Sequence, residues 1–257
     1  MMKKLNGHVW QYDDADGCTS FLIAGQDRAC MIDCGMGRET IMPLIREVTN
    51  LPVDLLLTHA HYDHYGAAKE FECIFLSEAD FNILPEMERI FGDRLPDPMP
   101  TERLISFAVG ACFDLGGCVV RALPLPGHTP GSVVFADERD EMLFTGDALG
   151  SGQIVLMSVP YASNLRDYLS SLEEFIRLSA PYRTWQWYGG HMYQAGVPGT
   201  VDYNPPSYAL AVDMAELCRC ILSGQIVGNK VAEINAPEGT ALRAFYRSAG
   251  IVYTSPE

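Results

Sequence analysis

Three histidines and an aspartate fall within six positions of the chain, in the motif "HAHYDH". They are His59, His61, Asp63 and His64, and the whole sequence holds only six histidines. Imidazole nitrogens and carboxylate oxygens are the groups that bind zinc and related divalent ions. His59 and His61 are two positions apart, a spacing that points both side chains to one side of an extended chain. The motif therefore predicts a short loop that offers four metal ligands.

Three further candidate ligands occur singly, each at the end of an apolar run and beside glycine. His128 lies in "PLPGHTPGS", Asp147 in "LFTGDALGSG" and His191 in "WYGGH". Glycine permits close backbone approach, and in sheets covered by helices the strand ends are where ligand sites assemble. We therefore expect these side chains to meet the "HAHYDH" loop. The remaining histidine, His8, is predicted to be an ordinary surface or core residue.

The chain that must position these residues alternates short apolar runs with helical patterns. Strand-like runs occupy residues 18–25, 29–35, 53–58, 73–76, 118–127, 183–190 and 241–254, and two more occur within 132–147. Helical spacing of apolar residues marks 38–50, 163–179 and 207–224, with Asn164 or Ser163 as an N-cap of the second helix. Residues 85–104 are rich in proline and charge, so we expect an extended surface connector there, with a flap over a pocket as the alternative.

Composition narrows the class of partner. The 257-residue chain has a formal net charge of −15 and no basic patch, so it would repel a phosphate backbone, and a small-molecule substrate is expected rather than nucleic acid. No apolar run reaches the roughly 20 residues that span a bilayer. Residues 1–14 lack the apolar segment of a secretory signal, so we expect a cytoplasmic protein. The eight cysteines are predicted to be reduced, mostly buried thiols with structural roles.

Four motifs together carry a family resemblance. Taken in order, "THAHYDH", "GHTPGS", "TGD" and "GGH" resemble the motifs of the metallo-β-lactamase fold superfamily of metal-dependent hydrolases, over about residues 18–191. The resemblance implies an α+β fold, a four-layer αββα sandwich of two mixed β-sheets with helices on the outer faces. We expect one such domain over residues 1–257, completed by a C-terminal helix and strand at about 200–257.

The resemblance also implies an assignment of ligands. One metal site would consist of His59, His61 and His128, and the second of Asp63, His64 and His191, with Asp147 bridging the two metals. No ligand position is missing, so a dinuclear site is expected. Zinc is the favoured ion, with iron or manganese as alternatives. Asp63 would also orient the nucleophile or pass on a proton.

The expected reaction is hydrolysis, because two neighbouring divalent ions can hold a bridging water and lower its pKa towards neutrality. We expect a small ester-like substrate: a thioester, a lactone or a related acyl compound. A small-molecule phosphodiesterase on the same metals is one alternative, and a metal-binding protein without catalysis is another. Tyr193, Tyr161 and Met157 are candidate substrate contacts, with plain packing as the alternative for each. Thr58 and Thr129 either fix the ligand loops by hydrogen bonds or serve as ordinary strand and turn residues.

Overall fold

Seven strands form the first β-sheet of the computed structural model, which describes residues 1–94, 97–150, 154–195, 204–233 and 236–254. In sheet order, which is also chain order, they are β1 (Lys3–Lys4), β2 (Val9–Asp13), β3 (Thr19–Ala24), β4 (Ala29–Ile32), β5 (Val53–Leu56), β6 (Ile74–Ser77) and β7 (Leu104–Phe107). Strands β1 to β4 pair antiparallel and β4 to β7 pair parallel, so this sheet is mixed.

Two further sheets complete the β-structure of the described residues. Their strands are β8 (Cys112–Asp114), β9 (Val119–Pro124), β10 (Val133–Asp137), β11 (Met142–Phe144), β12 (Val155–Leu156), β13 (Gln186–Tyr188), β14 (Asn229–Lys230), β15 (Leu242–Tyr246) and β16 (Ala249–Tyr253). The second sheet has the order β13-β11-β10-β9-β8, and the small third sheet has the order β12-β16-β15-β14. β11 and β13 pair parallel while the other pairs of the second sheet are antiparallel, so this sheet is also mixed.

The helices vary in length from one turn to four. They are α1 (Met42–Val48), α2 (Tyr62–Tyr65), α3 (Glu78–Phe81), α4 (Leu84–Phe91), α5 (Leu165–Ser179), α6 (Met192–Ala195) and α7 (Tyr208–Leu222). Short 3-10 turns occur at Ala68–Glu70, Gly92–Arg94, Thr101–Arg103 and Ala180–Tyr182. The side chain of Asn164 caps α5 by accepting a hydrogen bond from the Asp167 backbone N–H, as predicted. Within the described residues, none of the helices has the length and apolar character that crossing a bilayer requires.

Alternate residues of the central strands face different layers. Phe21 and Ile23 of β3 pack between the two large sheets, in one cluster with Phe135 and Phe144 of the second sheet. Leu22, which lies between them in sequence, faces the opposite layer and packs with residues of α1 and α4. The outer face of the second sheet packs against α5 and α7. The order of layers is therefore helix, sheet, sheet, helix, which confirms the predicted αββα sandwich.

Two segments differ from their predictions. Residues 84–91 form α4 instead of an extended connector, because Pro85 lies in the first turn, where its missing N–H is not needed, and helical spacing turns Leu84, Met87 and Phe91 inward. The C-terminal run predicted as one strand is the hairpin of β15 and β16. Arg247 adopts a φ of 50° at its turn, and this left-handed residue reverses the chain.

Candidate metal centre

The side chains that the sequence singles out converge where strands of the two large sheets end. The loop after β5 carries His59 and His61, and the short helix α2 that follows carries Asp63 and His64. The loops after β9, β11 and β13 carry one candidate each, in the order His128, Asp147 and His191. The three leucines ahead of Thr58 are fully buried, so the strand that leads to the first two histidines is a fixed support.

Three buried imidazoles form one part of the site, here called the histidine half: His59, His61 and His128. Nδ1 of His61 lies 3.1 Å from Nε2 of His59 and 2.9 Å from Nε2 of His128. One ring nitrogen of each residue therefore points at the same small volume.

Two aspartates and two histidines form the other part, here called the carboxylate half: Asp63, His64, Asp147 and His191. Oδ1 of Asp147 lies 3.2 Å from Nε2 of His191 and 3.5 Å from Nε2 of His64. Oδ2 of Asp63 lies 3.7 Å from Nε2 of His191 and 3.8 Å from Nε2 of His64. Oδ2 of Asp147 is also 3.6 Å from Nε2 of His128, so this carboxylate contacts both halves.

A buried aspartate, Asp33, holds members of both halves. Its carboxylate accepts hydrogen bonds of 2.8 Å from Nδ1 of His64, from the Thr58 hydroxyl and from the Thr58 backbone N–H. Because the Thr58 hydroxyl gives its proton to Asp33, its oxygen accepts from Nδ1 of His59 at 3.0 Å. The Nδ1–H of His59 and of His64 is therefore oriented by Asp33, directly or through Thr58, and the Nε2 atom of each ring faces the centre of the site.

A second buried aspartate, Asp80, ties together the two loops of the histidine half. Its Oδ2 accepts from the Ala60 N–H and the Thr129 hydroxyl, both at 2.8 Å, and its Oδ1 accepts from the Gly131 N–H at 2.6 Å. Burial raises the pKa of Asp80 to about 6. Thr129, like Thr58, thus makes its hydrogen bonds behind the ligand loops.

The two halves differ in charge. Burial lowers the pKa of all three imidazoles of the histidine half, so they are neutral at pH 7. Burial also opposes protonation of His64 and His191, but Asp147 and other nearby carboxylates outweigh it and raise the pKa of both. Burial would raise the pKa of Asp147, yet His191 and His64 hold it well below its usual range. The histidine half offers neutral lone pairs, and the carboxylate half places carboxylates beside imidazoles that hold a proton more tightly than usual.

This donor set fits divalent cations. Nδ1 of His128 donates to the Leu156 carbonyl oxygen at 2.9 Å, so its Nε2 presents a lone pair, as does Nε2 of His59. A single proton on Nδ1 of His61 can satisfy only one of these two lone pairs, either that on Nε2 of His59 or that on Nε2 of His128. In the histidine half, and again in the group of His59, His64 and Asp147, the ligand atoms all lie within 4.8 Å of one another. A cation among these atoms would satisfy lone pairs that otherwise face one another.

Two glycines make this close assembly possible. A Cβ on Gly190 would lie 2.7 Å from Oδ1 of Asp147 and 2.8 Å from Cε1 of His64. Gly146 has a φ of 49°, and a Cβ there would lie 2.3 Å from the hydroxyl oxygen of Thr58. The glycines beside the ligands therefore provide the close backbone approach that their sequence context suggested.

A cavity of about 220 Å³ opens above both halves. Its polar floor contains members of each half, and its walls are Tyr62, Phe91, Arg94, Leu156 and Val159. The wall formed by Phe91 and Arg94 belongs to the segment that was expected to be a connector. Chain that looks like a surface loop in sequence thus lines the site.

The candidate substrate contacts lie in different places. Leu156 and Val159 line the cavity, whereas Met157, between them, is buried and lines a neighbouring cavity. Tyr161 is exposed, with a φ of 65°. Tyr193 lies in α6, two residues after His191, and its side chain lies outside what the structure describes. Their roles as substrate contacts stay predictions.

Three residues around the site were missed in the sequence: Asp33, Asp80 and Arg94. Asp33 does have a signal, because it is a charged residue that closes the apolar run "ACMI" just before Gly35. Asp80 and Arg94 lie in helical segments among other charges, and nothing in their local sequence separates them from surface residues. Only the packing of these segments against the ligand loops reveals what they contact.

Comparison with known proteins gives one family. The profile described as "Metallo-beta-lactamase superfamily" matches residues 13–74 and 78–184. Similar curated proteins include the hydroxyacylglutathione hydrolase GloC of Haemophilus influenzae, 36% identical over 145 residues that cover 52% of this chain and 68% of that protein. Another is the acyl-coenzyme A thioesterase MBLAC2 of Gallus gallus, 26% identical over 194 residues that cover 65% of this chain and 69% of that protein.

Solved structures of the same fold are also similar. The class B3 di-zinc metallo-beta-lactamase LRA-12 from an Alaskan soil metagenome superposes with a TM-score of 0.60 at 19% identity, covering 84% of this chain and 90% of that chain. The archaeal metallo-beta-lactamase superfamily protein ST1585 from Sulfolobus tokodaii has a TM-score of 0.58 at 18% identity, covering 82% of this chain and 86% of that chain. At these identities the likeness concerns the fold.

Proposed function

The chain belongs to the metallo-beta-lactamase superfamily and is a hydrolase of that family, and we propose that it uses two divalent metal ions to hydrolyse a small acyl thioester. Lactones and related acyl esters are the other candidate substrates. One observation carries the proposal: the histidine half and the carboxylate half adjoin beneath a single cavity, with Asp147 within 3.6 Å of His128. The first half would hold one ion and the second half the other, with Asp147 between them.

Bound divalent ions would supply Lewis acidity for the substrate carbonyl and a water nucleophile that ionises near neutral pH. The two aspartates are suited to different tasks in that reaction. The side chain of Asp147 is 4% exposed and that of Asp63 is 22% exposed, and Asp63 lines the cavity. This difference supports a role for Asp63 in orienting the attacking water and accepting its proton, and a role for Asp147 in holding the ions.

The cavity walls favour an acyl substrate that carries an anionic group. Phe91, Leu156 and Val159 offer apolar surface for the acyl part. On the rim, Arg94 donates a hydrogen bond of 2.8 Å to the Tyr62 hydroxyl and lies over the rings of Tyr62 and Phe91. Among the described residues it forms no ion pair, whereas Arg38 nearby is paired with Asp16. The guanidinium of Arg94 is thus held in place, and its positive charge is available to bind a carboxylate or phosphate of the substrate.

The relatives support the choice of a thioester. The names of the Haemophilus influenzae and Gallus gallus proteins state hydrolysis of hydroxyacylglutathione and of acyl-coenzyme A, and a further similar protein is an atrochrysone carboxyl ACP thioesterase from Aspergillus novofumigatus. We propose zinc as the ion, because nitrogen and carboxylate ligands suit it.

All eight cysteines are free thiols, which supports a reducing compartment such as the cytoplasm.

The test is a metal analysis followed by a substrate screen. The purified chain, loaded with zinc or manganese, should contain about two ions per chain and should cleave acyl-coenzyme A or acyl-glutathione thioesters. The screen includes lactones, the β-lactam nitrocefin and bis-p-nitrophenyl phosphate. One ion per chain or fewer would contradict the dinuclear centre. Turnover of the phosphodiester alone would replace the acyl hydrolase with a phosphodiesterase.

Arg94→Ala tests the anionic group separately. Loss of one charge-assisted hydrogen bond at an exposed rim should raise KM for an acyl-coenzyme A about tenfold and leave kcat nearly unchanged. Arg89→Ala is the matched control, because Arg89 lies on the same segment, is paired with Glu86 and is absent from the cavity wall. An equal effect of both variants would argue against recognition by Arg94.

A further inference from the structure

Cys18 adjoins the carboxylate half, although its sequence context gave no reason to separate it from the other cysteines. It is buried and directly precedes β3. Its Sγ atom lies 3.9 Å from Oδ2 of Asp63, and the ligand atoms of Cys18, Asp63 and His191 all lie within 4.8 Å of one another. Among the described residues, Cys18 is the one cysteine that belongs to such a group.

The backbone around Cys18 is held to the same elements that carry the ligands. Cys18 and His191 form an isolated antiparallel bridge, and the Thr19 N–H donates to the Gly190 carbonyl oxygen at 2.8 Å. On the other side, the Cys18 N–H donates to the carboxylate of Asp14 at 2.8 Å. The backbone of Cys18 is therefore fixed relative to His191, and a short side chain is enough to bring its sulfur to the site.

A ring nitrogen of His64 faces the volume beside Asp63, next to Cys18. Nε2 of His64 is buried and lies 3.8 Å from Oδ2 of Asp63 and 3.5 Å from Oδ1 of Asp147, distances too long for good hydrogen bonds. Its Nδ1 is bound to Asp33, so Nε2 is the ring nitrogen that faces this volume. Cys18, Asp63 and His191 thus form one group of possible ligands, with His64 and Asp147 next to Asp63 and His191. Thiolate with imidazole is a set of ligands that zinc prefers.

We propose that Cys18 is a thiolate ligand of the metal ion in the carboxylate half. The inference rests on the proposed dinuclear centre and extends it to the choice of metal. On binding, the S–H bond breaks, the sulfur–metal bond forms and the proton passes to the buffer, with no change of oxidation state. A thiol binds a metal ion as its thiolate, so binding of the ion and loss of the proton are coupled. The sulfur ligand makes this half select zinc, cobalt or cadmium over magnesium or manganese.

Cobalt substitution tests the assignment by a signal that is independent of turnover. The metal-free chain, loaded with two equivalents of Co²⁺, should show a sulfur-to-cobalt charge-transfer band in the near ultraviolet. Cys18→Ser should lose the band and bind its second ion at least about tenfold more weakly. Cys112→Ser, which changes an exposed thiol, is the matched control and should retain both the band and the affinity. Zinc binding should release one proton more from the wild type than from Cys18→Ser.

Cadmium NMR of the wild type provides a reading that needs no variant. Two bound cadmium ions should give two resonances, one of them shifted downfield by a sulfur ligand. Two bound ions without a sulfur signal, or a charge-transfer band that persists in Cys18→Ser, would overturn the role of Cys18 and leave the dinuclear centre standing. One bound ion with the sulfur signal would instead overturn the dinuclear centre and keep the thiolate ligand.

Discussion

The histidine half and the carboxylate half lie side by side but are prepared for a cation in different ways. The imidazoles of the first half have lowered pKa values because they are buried together, so their lone pairs are available at neutral pH. In the second half, burial is outweighed by carboxylates that raise the pKa of His64 and His191. A metal ion would enter the first half without displacing protons, whereas in the second half it would displace protons that His64 and His191 hold beside the aspartates. Four changes would break or sharpen this contrast.

The largest effect is expected from removing a ligand in either half. His59→Ala and Asp147→Ala should each lower kcat/KM by more than about a hundredfold, above the usual cost of losing a group that merely supports a ligand. His59→Ala should still bind the ion of the carboxylate half, whereas Asp147→Ala, which lacks the carboxylate between the halves, should lose more metal. Elemental analysis, activity and circular dichroism check these outcomes. Full activity of either variant would refute the assignment.

Asp33→Asn removes the group that serves both halves at once. An amide cannot accept from Thr58 and His64 as a carboxylate does, so the orientation of His59 and His64 would be lost together. We expect both ions to bind about 10–100-fold more weakly, as measured by competition with a chelator. Asp54→Asn is the control, because Asp54 is paired with Arg28 away from the site. Weaker binding of only one of the two ions would show that Asp33 serves a single half.

Acidification should release the metal ion of the carboxylate half before that of the histidine half. Because the pKa values of His64 and His191 are raised, protons compete with the metal there at a higher pH than in the histidine half. Below these pKa values, apparent affinity should fall about tenfold per pH unit for each proton displaced. Equilibrium dialysis of the zinc-loaded chain between about pH 7.5 and about pH 5.5, followed by elemental analysis, measures the order of loss. Simultaneous loss of both ions would contradict the contrast in charge.

The smallest effect concerns Asp80, which supports only the histidine half. Its pKa is raised to about 6 in the folded chain, so the folded state gains stability as the pH falls through about 6 and loses it as the pH rises. Asp80→Asn cannot take up that proton. Urea unfolding of the metal-free chains should therefore show a larger difference in free energy of unfolding between wild type and variant near pH 5 than near pH 7.5. A difference that does not change with pH would count against this ionisation.

Local sequence was enough for those parts of the molecule whose signal is local. The αββα layers followed from the resemblance of four short motifs, and the cap of α5 followed from Asn164 ahead of a helical pattern. The sequence also named the members of both halves, since four are clustered in "HAHYDH" after an apolar strand and the other three each follow glycine at a strand end. Their assignment to two metal ions stays a prediction, as does the single domain over residues 1–257.

Other parts depend on contacts between distant segments. Asp80 is 20 residues from Ala60 and 51 residues from Gly131, so its role exists only after folding. Cys18 is separated from Asp63 by 45 residues and reads as one more buried thiol. The prolines of residues 85–104 predict a connector, yet Pro85 lies in the first turn of a helix whose Met87 and Phe91 are buried in the core. A proline in the first turn is compatible with a helix, so its position matters more than the number of prolines in the segment.

Gly190 shows that a position with no side chain can be as restrictive as any ligand. A single methyl group there would collide with the carboxylate of Asp147 and the ring of His64. An engineer who grafts this centre onto another scaffold, or who randomises the enzyme to change its substrate, would have to copy that empty space as faithfully as the histidines. A search for the site by the chemistry of side chains alone would pass over Gly190, which lets its loop approach Asp147 and His64 closely.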